Sequence, residues 1–268
     1  MISEEKQIYL NNKYNQEGSD LRKAQLRMLK MLIAFDKICK ENDLTYWLAS
    51  GTLLGAARHQ GFIPWDDDLD VFMPRKDVSK LKKVFGKNII YNFLVFQDID
   101  TDPGDLGVWP RIRDIKTENT NHETFHDRLK YKGLAIDVFI VDEGVNIKLK
   151  KKLNILYDLF VNQPIYRRKY RFIKPFAKLN CHIFNKLVFP FFRLWKFNDK
   201  ISEGYGCIYG KYQDKETIYP LKEIEFEGYK FPCPNNVPKY LEVHYGDWER
   251  IPDETEIHTH DVQIKFYE

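Results

Sequence analysis

The chain contains no apolar run approaching the 18 residues that a simple membrane-spanning helix needs. Its first twenty residues, MISEEKQIYLNNKYNQEGSD, lack the apolar core of a secretory signal. Cysteine is sparse: Cys39, Cys181, Cys207 and Cys233 are scattered and form no CxxC pair. That excludes a zinc knuckle and a disulfide scaffold and suits a reducing compartment. The expectation is therefore a cytoplasmic protein. There is no internal repeat and no low-complexity linker, and a net charge of +3 names no partner by itself. What is present is enough apolar material for a sizeable core: 268 residues, 43% hydrophobic and 15% aromatic, one large domain or two small ones. The charge is unevenly spread. Residues 148–200 hold 14 Lys and Arg against Asp158 and Asp199, a net of +12, which leaves −9 for the remainder.

The first 145 residues read as mixed α and β. Ser19 caps a helix running to about Glu41, with Leu26, Leu29 and Ile33 in an apolar stripe widened by Met28, Leu32 and Phe35. LTYWLA (44–49) reads as a buried strand. Ser50-Gly51-Thr52 follows, then a short helix ending before Gly61. Leu69 to Met73 reads as a second strand, and Pro74 is placed to open a helix. Further strands are expected in 89–96, 108–115 and 133–141. Residues 146–200 look mostly helical, Glu227-Gly228 marks a hairpin, and a short helix is expected from Val237.

The chemistry concentrates in FIPWDDDLDVFM (62–73), where four aspartates are framed by apolar residues. A solvated acidic turn does not need that frame. On a strand, Asp68 and Asp70 project from one face, with Cα atoms roughly 6.5 Å apart. Two carboxylates so close repel each other, and a hard divalent cation such as Mg²⁺ or Mn²⁺ relieves the repulsion. Asp137, a lone charge inside GLAIDVFIV, is the best candidate for a third acid, because its burial is costly without a partner. Ser50, Gly51 and Thr52 lie at a strand–helix junction where backbone N–H groups can meet an anion. Arg111 and Arg113, spaced i, i+2 on a strand, share a face and can clamp phosphate. Arg58 and His59 end the helix after the glycine turn, where a cation also serves as a cap. Trp47 and Trp65 fit the core better than a ligand wall.

These residues match a nucleotidyltransferase-fold pattern, and SGTLLGAARHQGFIPWDDDLDVFMPR (50–75), GLAIDVFIVDE (133–143) and YLEVHYGDWERIP (240–252) resemble the LicD family of phosphocholine transferases, to which fukutin-related proteins are also similar. The resemblance covers roughly 25–145 and the short C-terminal block. It implies an α+β, mixed α/β fold: a mixed sheet with flanking helices. By its patterning the chain divides into a catalytic core over 1–147, a basic aromatic helical subdomain over 148–222 that the resemblance does not cover, and a C-terminal hairpin and helix over 223–268 that completes the core. The resemblance also implies metal-dependent transfer of a phospho-alcohol from a CDP-activated donor such as CDP-choline to a hydroxyl of a surface glycan or its lipid-linked precursor. Carried over by position, Asp68 and Asp70 match the paired Mg²⁺ or Mn²⁺ ligands, and Asp137 matches a further ligand or the general base. Ser50, Gly51, Thr52, Arg58, Arg111 and Arg113 would face the donor.

Three other readings are weaker. A nucleotidyltransferase moving NMP would use the same metal site. HETFH (122–126) matches the H-E-x-x-H pattern of zinc hydrolases, yet its flanks are polar and lie between strands. His258 and His260 are expected in an exposed tail. An RNA-binding module built on the basic segment leaves the aspartates unexplained, so no nucleic acid is expected. A peripheral membrane contact through 148–200 fits its mixture of cations and aromatics better.

Overall fold

A computed structural model describes residues 2–120, 128–166, 172, 175–207, 210–257 and 263–267. HETFH and the His258/His260 pair fall outside the described residues.

Helix α1 spans Glu4–Tyr14 and α2 spans Asp20–Glu41. The Ser19 hydroxyl accepts the Arg22 N–H and starts α2 where the sequence places it. Met28, Met31, Leu32, Phe35 and Ile38 recur every three to four residues and bury one stripe of α2 against the sheet. Leu26 lies outside that stripe and faces water.

Among the described residues ten strands follow in chain order: β1 Trp47–Leu48, β2 Asp70–Pro74, β3 Leu94–Gln97, β4 Arg111–Asp114, β5 Thr117–Asn119, β6 Ala135–Glu143, β7 Ile201–Glu203, β8 Lys222–Phe226, β9 Tyr229–Cys233 and β10 Ile264–Phe266. The main sheet runs β1-β2-β6-β4-β3, with β7 also on β6. Its one parallel pair is β2 with β6, and every other pairing is antiparallel. The sheet is thus mixed and flanked by helices, an α+β architecture.

Helix α3 (Ser50–His59) fills the connection between β1 and β2, and α4 (Arg75–Phe85) follows directly from β2. Pro74 is the N-cap of α4, one position before the helix. The 89–96 run is strand only from Leu94, because Tyr91 and Asn92 both take positive φ and turn the chain. At the expected hairpin, Glu227 and Gly228 have φ of 52° and 78°, the pair of left-handed residues a type I′ turn requires.

Helix α5 (Ile147–Tyr157) opens the basic segment, capped by the Asn146 side chain. Tyr157, Val161, Cys181, Phe184 and Phe189 form a second apolar cluster closed by Ile99 and Leu106, and the Tyr157 hydroxyl donates to the Leu106 carbonyl at 2.6 Å. The segment also returns to the main sheet through β7, so the boundary drawn from sequence at residue 222 encloses one strand of the core sheet. Among the described residues no helix is long and apolar enough to cross a membrane.

Candidate active site

The centre of the sheet carries one cross-strand row. Asp70 on β2 is the register partner of Asp137 on β6, and Asp137 is the register partner of Arg111 on β4. Directly opposed residues point to the same face, their Cβ atoms roughly 5 Å apart. Three segments far apart in sequence thus deliver acid, acid and cation side by side. Arg111 Nε donates to Asp137 at 2.9 Å, and its Nη1 makes 3.2 and 3.0 Å contacts with both carboxylate oxygens of Asp105. Burial alone disfavours the guanidinium's charge, and the two carboxylates more than reverse this, so Arg111 is held firmly protonated.

Asp68 lies two residues before the start of β2, outside the strand, and is exposed. It lies in the acidic turn Asp66-Asp67-Asp68, whose three carboxylates present oxygens within 4.8 Å of one another. Burial pushes the Asp66 carboxyl up to about 7, helped by Asp68 and Asp67. Asp70 is pushed well above the carboxylate range by burial first, then by Asp137, Asp68 and Asp66, while a hydrogen bond from Ser50 works the other way. Among the described residues neither Asp66 nor Asp70 forms an ion pair. The donor set is all oxygen and short of positive charge, which is what Mg²⁺ or Mn²⁺ requires of a site. The Asp66, Asp67 and Asp68 carboxylates fit such an ion; among the described residues Asp70 and Asp137 do not join that close group.

The N-terminus of α3 abuts these acids. The N-cap Ala49 supplies no side-chain hydrogen bond, so the first N–H groups of the helix are not capped from that position. Ser50 sits at φ 44°, an unusual left-handed conformation for a non-glycine residue. Thr52 Oγ1 accepts the Asp70 N–H at 2.8 Å, and Ala49 N–H donates to the Asp70 carbonyl at 3.0 Å, so β2 and the helix start are laced together. At Gly51 a Cβ would stand 2.6 Å from Asp66 Oδ2. Glycine is required here for that close approach.

Two expected donor-side arginines have their hydrogen bonds committed elsewhere. Arg113 is buried, donating Nε to Gln97 at 2.5 Å and Nη1 to the Gly133 carbonyl at 2.7 Å. Arg58 is also buried and reaches the Trp248 and Arg250 carbonyls at 3.3 and 2.9 Å, tying α3 to the C-terminal block. Both side chains hold backbone together where they stand. Trp47 is fully buried in the core, and Trp65 packs edge-on against Tyr14. Sequence reasoning omitted Asp66 and Asp67 from the site and passed over Asp105. The first two were visible as the rest of the aspartate run. The third pairs with Arg111 through loop geometry that no local pattern encodes.

Residues 43–126 match the family model described as LicD/FKTN/FKRP, nucleotidyltransferase domain. Over that span the chain is similar to the LicD family. The matched span includes the α3 N-terminus, the acidic turn, Asp70 and Arg111. Over 260 residues, 91% of this chain and 96% of the relative, the sequence is 28% identical to the lipopolysaccharide cholinephosphotransferase LicD of Haemophilus influenzae. A 41-residue stretch, 15% of this chain and 8% of the relative, is 49% identical to the human ribitol 5-phosphate transferase FKRP. A 72-residue stretch, 27% of this chain and 6% of the relative, is 35% identical to mannosyltransferase regulator 4 of Saccharomyces cerevisiae.

Proposed function

We propose that this LicD-type chain transfers a phospho-alcohol group, phosphocholine or a close analogue, from a CDP-activated donor to a hydroxyl of a glycan or its lipid-linked precursor. The observation that carries the reading is the row Asp70–Asp137–Arg111 set against the N-terminus of α3. In the reaction the acceptor oxygen attacks the phosphorus that bears the alcohol. The P–O bond to the cytidylate breaks, CMP leaves, and the acceptor's proton passes to a base.

Asp68, Asp70 and Asp137 would hold Mg²⁺ or Mn²⁺, with Asp66 and Asp67 beside them. A bound ion supplies charge neutralisation for the donor's diphosphate. Arg111 orients the Asp137 carboxylate and holds its negative charge in place. The backbone N–H groups of Ser50, Gly51 and Thr52, at the start of α3 beside the same acids, would offer the donor's phosphate an anion site at a helix N-terminus. Asp137, half-buried and paired with Arg111, serves either as a further ligand or as the base that takes the acceptor's proton.

The test is incubation with a panel of CDP-alcohols and Mg²⁺, with Asp68→Ala and Asp70→Ala as controls. Free CMP in the wild type, lost in both variants, supports the reading. Released pyrophosphate would instead favour the NMP-transfer alternative, and unchanged turnover in the variants removes these aspartates from the site.

A peripheral contact of 148–200 with an anionic membrane belongs to the same proposal. Leu187, Phe191, Leu194 and Trp195 are exposed, Leu194 at 75%, in a stretch with a net charge of +12. Apolar side chains among cations suit the boundary of an anionic bilayer. Sedimentation with phosphatidylglycerol vesicles should show binding that weakens with salt. No binding at low ionic strength would eliminate the contact.

A further inference from the structure

A cavity of about 410 Å³ opens between the end of α1, the turn that follows it, the backbone after α3 and the β8–β9 hairpin. That size lies within the ordinary range of small-molecule sites, but the wall is unusual. Gln7, Asn11, Asn12, Asn15 and Gln16 all line it. Each carboxamide offers two donors and an acceptor, so these five side chains give the wall dense hydrogen-bonding capacity and no charge of their own. Arg22, the sole Lys or Arg on the wall, is bound bidentately to Glu227 at 3.1 and 2.8 Å. Glu17 and Glu225 also line the cavity, so its electrostatics disfavour a phosphate.

A second observation concerns one residue of that wall. Asn15 is 93% buried, and its Oδ1 accepts no hydrogen bond from the described residues. A buried unpaired carbonyl costs on the order of 1–3 kcal/mol. Asn15 is also linked to the acids. Its Nδ2 donates to Gln25 Oε1 at 2.9 Å, and Gln25 Nε2 donates to the Asp66 carbonyl at 2.9 Å. Two hydrogen bonds separate the cavity wall from the acidic turn. On the far side, Gly61 permits the close packing: a Cβ there would stand 2.4 Å from Glu227 Oε1, and that same oxygen accepts the Phe62 N–H at 3.1 Å.

We propose that this cavity is the subsite for the acceptor, a neutral sugar ring whose hydroxyls pair with the Asn and Gln wall. The inference rests on the transferase reading for its role and on the cavity alone for its ligand class. The charged donor belongs at the acids and α3, and the uncharged sugar belongs here.

The experiment is saturation-transfer NMR on the full chain with the methyl glycosides of glucose, galactose and N-acetylglucosamine, and with CDP-choline as a separate probe. Asn12 and Gln16 are exposed, so an Asn12→Ala/Gln16→Ala chain should fold normally. Circular dichroism checks that it does. At least one glycoside should bind the wild type, bind the double variant at least tenfold more weakly, bind Asp70→Asn unchanged, and not compete with CDP-choline. No glycoside binding at tens of millimolar, equal binding by the double variant, or displacement by CDP-choline would overturn the assignment. The two readings fail separately. Glycoside binding lost in the double variant, with no CDP-alcohol turned over, sinks the transferase and leaves the sugar site. Turnover with an acceptor KM unmoved by the double variant sinks the sugar site and leaves the transferase.

Discussion

Gly51→Ala is the most informative single substitution in the candidate site. Alanine is favoured over glycine inside a helix by about 1 kcal/mol, and no positive φ marks Gly51, so propensity alone predicts a slightly more stable chain. The new Cβ, however, would lie 2.6 Å from Asp66 Oδ2. Restoring ordinary van der Waals separation needs a displacement of roughly 1 Å. The Asp66 side chain can rotate, so the carboxylate yields before the backbone does. Stability should therefore change by less than about 1 kcal/mol. A 1 Å misplacement of a positioning group costs transfer chemistry about a hundredfold, and that is the expected loss in kcal terms of roughly 2.7 kcal/mol in the barrier. The assay pairs thermal unfolding with initial rates of CMP release from the preferred CDP-alcohol. Gly55→Ala in the same helix is the contrast. There the Cβ meets the Gly61 carbonyl at 2.5 Å, which is backbone and cannot swing aside, so about 1–3 kcal/mol of stability should be lost. A Gly51→Ala enzyme with full activity and an unchanged melting temperature would refute the claim that Asp66 must approach the helix this closely.

Other outcomes follow from the same geometry. Thermal shift at pH 8 should show Mg²⁺ stabilising the wild type and EDTA reversing it; Asp70→Asn should be more stable than the wild type without metal and respond little to Mg²⁺, because the repelling pair is gone. His59 is buried, with Arg58 Nε donating to its Nε2 at 3.0 Å and its Nδ1 against Gln7 Oε1 at 2.8 Å; burial and then Arg58 pull it down to about 3 from 6.5. The folded state therefore binds fewer protons than the unfolded one, and this contribution is complete above pH 6.5 and lost as pH falls toward 3. By pH 4 the loss is about 3 kcal/mol, so urea unfolding of His59→Gln should fall less steeply between pH 6.5 and 4, and parallel curves would refute the assignment. Arg27 meets fully buried Asp114 with 2.5 and 3.1 Å hydrogen bonds, so Arg27→Met should cost about 3–5 kcal/mol in denaturant unfolding, and a loss below 1 kcal/mol would show that Asp114 finds another partner.

Local signals made α2, α3, α4 and the β8–β9 hairpin legible: a Ser cap, an apolar stripe, a proline at a helix start and a Glu-Gly turn. Asp137 stood out because a lone acid in an apolar run needs a reason. What stayed hidden was register. No local pattern says that residue 70 lies opposite 137, or that Arg111 rather than Arg113 meets it, because those pairings are set by how three distant strands slide together. Arg111 and Arg113 look equivalent in sequence. The loop that brings Asp105 to one and the Gln97 side chain that holds the other make them different. Helix α1 was missed because its exposed face is polar and its apolar contacts are few, with Leu10 alone buried. The amide-lined cavity it helps form had no sequence signature for the same reason.

The parallel pairing of β2 with β6 carries an implication for biogenesis. Sixty residues, 75–134, separate those two strands and must be made before the two carboxylates can meet. A ribosome-bound or clipped chain that has made the aspartate run but not yet its distant neighbour holds an acidic hairpin-sized fragment with no competent centre. The two carboxylates therefore meet late, with closure of a long loop, and recovery of turnover during refolding should trail recovery of helical signal.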